Sequence, residues 1–75
     1  MKFIEMTGKT LAQIINSEDF GAPNLDEAGV TDDTIVRINE HGDIEVRRER
    51  SWDVIGGLLG EYTDQVKQRS GFDWV

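Results

Sequence analysis

Cysteine is missing from this chain altogether, proline and histidine occur once each, and basic residues are outnumbered by acidic ones, 8 against 15. Without cysteine there is no disulfide staple, no thiolate nucleophile and no sulfur ligand for a metal. The lone histidine, His41, leaves a transition-metal site to carboxylates, a poor match for zinc. A formal charge of −7 argues against nucleic acid as the main partner, because phosphate binding needs a basic face. It argues equally against a polybasic membrane anchor. No apolar run approaches the ~20 residues of a membrane span. The opening stretch Met1–Met6 carries Glu5 and lacks the apolar core of a signal peptide. The expectation is a soluble cytoplasmic protein with no membrane partner.

What is present is one small domain over residues 1–75. A chain of this size buries only about 60% of the surface its unfolded form exposes, so the core is thin. The acidity is uneven: residues 1–33 hold two bases against seven acids, and residues 34–75 six against eight. Glu18, Asp19, Asp26, Glu27, Asp32 and Asp33 fall in one stretch free of Lys and Arg that also holds Gly21, Pro23 and Gly29. Residues 19–33 read as an acidic loop with one helical turn at Leu25–Ala28. It is either a solvated connection or, with Glu18, a docking strip for a basic protein.

Local pattern supplies the remaining elements. Lys2–Met6 is a short strand. Thr10 and Gln13 have the spacing of a capping box, and Leu11, Ile14 and Ile15, with Phe20 beyond, form the apolar side of a helix over Leu11–Glu18. From Thr34 to Arg48 the alternation of Val36 and Ile38, then Ile44 and Val46, marks a hairpin. A two-residue loop would pair Ile38 with Glu45 and bring an acid to the core face. A three-residue loop at Glu40, His41 and Gly42 pairs Ile38 with Ile44, Val36 with Val46 and Arg37 with Glu45, and places Gly42 where a left-handed conformation is needed. Ser51 is positioned to cap a final helix in which Trp52, Ile55, Leu59, Tyr62 and Val66 share a side, with Gly71 as its stop. The fold class is α+β: a small antiparallel sheet, made of the N-terminal strand and the hairpin, with two helices packed on one face in the order β-α-β-β-α.

Chemical motifs are sparse. Thr7-Gly8-Lys9-Thr10 resembles the end of a phosphate-binding loop, but the pattern needs a second glycine where Phe3 stands. A strand-to-helix turn is the simpler account. Ser17, Ser51, Ser70, His41 and several aspartates are present without a nucleophile elbow, and the acidic loop lacks calcium-loop spacing. Asp32 and Asp33 lie in an open loop where no shared proton is expected. Arg47, Arg48 and Arg50, interrupted by Glu49 and with Arg37 nearby on the sheet, read as a solvated strand end or as a local contact for an anion or nucleic acid, which the net charge opposes.

Gly56, Gly57 and Gly60 are harder to place, since each glycine inside a helix costs about 1 kcal/mol. Gly56 and Gly60, four apart, would make a flat strip for intrachain packing or for a second copy or a partner, unless the helix breaks here and starts again near Glu61. The tail carries Phe72 and Trp74, which either fold back on the core or form an apolar patch with Trp52 and Leu58. No motif set is specific enough to name a family.

The leading expectation is a non-catalytic interaction or regulatory module, with no cofactor and no small-molecule substrate. It self-associates as a homodimer or docks a protein partner through Trp52, Gly56, Leu58, Gly60, Phe72 and Trp74. An antitoxin-like acidic regulator acting through residues 18–33 is the alternative, and a small enzyme or enzyme subunit the third.

Overall fold

A computed structural model describes residues 1–15, 24–58 and 62–75. Alternation begins at once: Ile4 and Met6 are buried and Glu5 and Thr7 exposed along β1 (Phe3–Thr7). This strand runs directly into α1 (Gly8–Ile15), whose Leu11 and Ile14 are buried. There follow β2 (Ile35–Asn39), β3 (Asp43–Arg47), β4 (Trp52–Gly57) and α2 (Thr63–Ser70). The strands make one antiparallel sheet in the order β1-β2-β3-β4. The fold is α+β, a small antiparallel sheet with two helices, and the element order is β-α-β-β-β-α.

The hairpin has the register that parity requires. Val36 lies opposite Val46, Arg37 opposite Glu45 and Ile38 opposite Ile44. Gly42 adopts φ +91°, and a β-carbon there would also sit 2.8 Å from the Leu58 carbonyl oxygen. Asn39 holds the turn from inside: its Oδ1 accepts the N–H groups of His41 and Asp43 at 2.9 and 3.0 Å. One face of the sheet buries Ile4, Met6, Val36, Ile38, Ile44 and Val46 against Leu11, Ile14, Val30, Leu58 and Val66. Arg69 of α2 donates to the Ile14 carbonyl at 3.0 Å, tying α2 to the end of α1 on that face.

Three expectations are corrected. The long final helix does not exist as read: Trp52–Gly57 is the fourth strand, and the helix begins at Thr63. Ser51 caps nothing; its carbonyl accepts the Arg48 N–H at 2.7 Å and closes the β3–β4 turn. The second side of β3 needs main-chain partners, which the stretch around β-prone Trp52 and Val54 supplies, while Gly56 and Gly57 weaken a helix there. The capping residue of α1 is Thr7 rather than Thr10, its Oγ1 accepting the Thr10 N–H at 3.3 Å. The first helix therefore starts three residues earlier than Leu11.

The helical turn near Leu25–Ala28 is present. Asn24 Oδ1 accepts the Glu27 N–H at 3.1 Å, and Gly29 at φ +76° ends the turn. Gly71, at φ +78°, stops α2 as its position suggests. Glu18, Asp19, Phe20, Leu59 and Gly60 lie outside the described residues, as does the end of the expected first helix at Glu18.

Candidate interaction surface

Both helices occupy one face of the sheet, so the odd-numbered residues of β1, β2 and β3 face the other way. This helix-free face carries Phe3 and Glu5 from β1, Ile35 and Arg37 from β2, Glu45 and Arg47 from β3, and Trp52 and Val54 from β4. Its centre is a stack. The Arg37 guanidinium lies 3.9 Å from the centroid of Phe3 and 4.0 Å from that of Trp52. Its Nη2 also donates to Glu45 Oε1 at 3.1 Å, and the two side chains are only 21% and 11% exposed. Cation–π contacts of this kind strengthen as water is excluded. The rings thus form a partial cover over an ion pair that the sheet alone would leave wet.

Around this centre the remaining apolar surface gathers. Val54 is 57% exposed, Phe72 52%, and Ile35 and Val75 are exposed as well. Phe72 and Val75 reach the face because the tail returns along β1. Phe3 and Val75 exchange two main-chain hydrogen bonds, of 2.8 and 3.0 Å. Between β1 and the tail lies a groove of about 440 Å³, walled by Phe3, Ile4, Arg37, Phe72 and Val75 and bordered by Glu5 and Asp73. The Asp73 carboxylate accepts its neighbour Trp74's N–H at 2.8 Å and meets Lys67 Nζ at 3.4 Å. That main-chain N–H first, and Lys67 second, hold its carboxyl below the ordinary carboxylate value.

The sequence-derived residues are dispersed by the fold. Trp52 is on the helix-free face and Phe72 beside it, whereas Leu58 is buried in the core. Trp74 packs against the core with its ring edge-on to Tyr62 at 6.4 Å between centroids. The tail therefore folds back at Trp74 and leaves Phe72 outside. Gly56 belongs to β4, so no helical Gly56–Gly60 strip is available. Arg37 stands opposite Glu45 on the outer side, as the hairpin register requires, whereas Phe3, Glu5, Val54 and Val75 carry no surface signal of their own in the local sequence pattern. Parity is the one cue for Phe3, since a buried Ile4 turns it outward, but the pairing of β1 with β2 was needed to bring Phe3 to Arg37.

Other candidate chemistry is accounted for locally. The first N–H groups of α1 are already used: Gly8 N–H donates to the Thr34 carbonyl at 2.7 Å and Lys9 N–H to that of Asp32 at 3.2 Å. Gly8 is required because a β-carbon would lie 1.9 Å from the Thr31 carbonyl oxygen. The Thr7–Thr10 segment is thus a strand-to-helix junction that grips the 31–34 loop. Tyr62 donates its hydroxyl to the Glu40 carbonyl, and burial, followed by the nearby Asp43 and Glu40 charges, raises its pKa. Asp26, Glu27, Asp32 and Asp33 are exposed, and none of them enters an ion pair among the described residues. Among those residues no group of three or more His, Asp or Glu side chains could hold one metal ion, and no helix is long and apolar enough to cross a membrane. Compared with models of protein families, with curated proteins and with solved structures, the chain matches none of them.

Proposed function

We propose that this chain is a non-catalytic, cytoplasmic protein-interaction module that takes up a segment of a partner protein on the helix-free face of its sheet. One observation carries the reading: apart from Met1, the exposed large apolar side chains among the described residues, Ile35, Val54, Phe72 and Val75, lie on that face and its β1 edge. Clustered exposed apolar area of this sort marks contact surfaces, and aromatic and arginine side chains anchor them. A foreign segment suits the surface better than a second copy, because two molecules of charge −7 repel each other. Panning a peptide library on the folded chain tests this. Binders are expected whose affinity drops with Phe72→Ala or Val54→Lys. A library without binders, or binders indifferent to both changes, overturns it.

A second reading is supported by the carboxylates of Asp26, Glu27, Asp32 and Asp33, which enter no ion pair among the described residues and so suit the docking of a basic protein. Its mark is association that weakens steeply with salt, since exposed charges are screened within ~10 Å at 0.1 M. Binding through the apolar face persists in high salt.

A further inference from the structure

The groove at the β1 edge combines three features that select a partner's chemistry. The first is apolar volume: about 440 Å³ walled largely by Phe3, Phe72 and Val75, enough for a few side chains. The second is main-chain valence. Phe3 spends its N–H and C=O on Val75, on the side of β1 away from β2, while the Lys2 carbonyl accepts from Glu40 on the β2 side. Glu5, two residues on, therefore presents its own N–H and C=O to the same outer side as Phe3. No described residue takes them up, because the tail pairs with β1 only at Phe3. The third is charge. Glu5 has no ion pair among the described residues, Asp73 stands at the other border paired with Lys67 and near Lys2, and the one cation in the wall, Arg37, is already paired with Glu45.

Resting on the interaction role above, we propose that this groove binds an extended basic peptide segment of a partner protein. An aliphatic or aromatic side chain enters between Phe3, Phe72 and Val75. The peptide backbone bonds to the main chain of Glu5, and flanking lysine or arginine cations meet the carboxylates of Glu5 and Asp73. Strand addition supplies the affinity, and the alternation of apolar and cationic side chains supplies the choice of sequence. The chain's overall negative charge speeds the approach of such a segment.

The test uses three labelled peptides against the intact chain: acetyl-Lys-Leu-Lys-Leu-Lys-amide, its Glu-Leu alternate and its Lys-Ser alternate. Affinity is read by fluorescence anisotropy and the binding site by amide chemical-shift changes. The Lys-Leu peptide is expected to bind saturably with shifts centred on Phe3–Glu5 and Phe72–Val75. Glu5→Gln and Phe72→Ala, both at exposed positions, are each expected to weaken it on the order of tenfold. Asp32→Asn, which removes one charge from the acidic strip, leaves it unchanged. Binding of the Glu-Leu or Lys-Ser peptide with equal affinity overturns the proposal. So do shifts confined to residues 24–33, or a mass that rises with concentration while the groove residues shift, which would seat a second copy there. Library binders that depend on Phe72 but are acidic or neutral would leave the interaction role standing and remove only this assignment.

Discussion

At the scale of single residues, two positions decide more than their size suggests. Gly8 is where the Thr31 main chain approaches so closely that no side chain fits. Gly8→Ala must push the 31–34 loop away from α1, and we expect a loss of about 3 kcal/mol in urea unfolding. Arg37 is the other. It joins three strands through Phe3, Glu45 and Trp52, and its Nε is buried with no hydrogen-bond partner. Arg37→Met keeps the stem between the rings but strands the Glu45 carboxylate beneath them, at a cost of about 2 kcal/mol. A double-mutant cycle with Glu45→Gln should recover part of that loss. Additive effects would show that the pair contributes nothing beyond packing.

At the scale of elements, the hairpin was legible because two independent requirements agree on it. Parity must keep Glu45 off the core face, and the loop needs a residue at positive φ, where Gly42 stands. β4 was misread for a specific reason. Glu45 faces Val54 but Ile44 faces Gly56, so Ile55 is an extra residue that a bulge leaves unpaired. Ile55 packs against the core while Trp52 lies on the helix-free face, so two apolar residues that face opposite ways in the strand happen to be three apart, the spacing of one helical side. The P-loop-like segment shows the converse: a glycine whose reason is a contact 23 residues away cannot be explained from its neighbours. The stacked surface was hidden for the same reason, since Phe3, Arg37 and Trp52 are joined only by sheet pairing. The tail is also an element in this sense, covering the β1 edge at Phe3 alone. Deleting residues 72–75 should therefore speed hydrogen exchange at the Phe3 amide while β2 and β3 keep their protection. Unchanged exchange at Phe3 would mean the two bonds to Val75 do not hold in solution.

At the scale of the whole molecule, the fold spreads a thin core under one layer of helices and leaves the other side of the sheet to a few side chains. Charge follows the same division. The helix-free face carries both signs, whereas the acidic loop described at 24–33 carries Asp26, Glu27, Asp32 and Asp33 without a base. The tail should answer to acid only below the ordinary carboxylate range. Because the folded chain binds the Asp73 proton more weakly than the unfolded chain does, this carboxylate stabilises the fold above the unfolded pKa. The contribution disappears as pH falls through the lower folded value. An amide-detected titration should show Asp73 and Trp74 moving below the ordinary carboxylate range, and Lys67→Met should shift that midpoint upward. A midpoint indifferent to Lys67 would leave the Trp74 N–H as the whole cause.

The two tryptophans divide along the same line. Trp52 stacks on Arg37 on the helix-free face, whereas Trp74 packs against the core beside Tyr62. The chain thus carries two fluorophores in different surroundings, and Trp52→Phe or Trp74→Phe would leave one reporter at a time. Emission from Trp52 would follow what arrives at the open face, and emission from Trp74 would follow the loosening of tail and core. Capture of a partner and loss of the fold become separately visible by light in one small molecule.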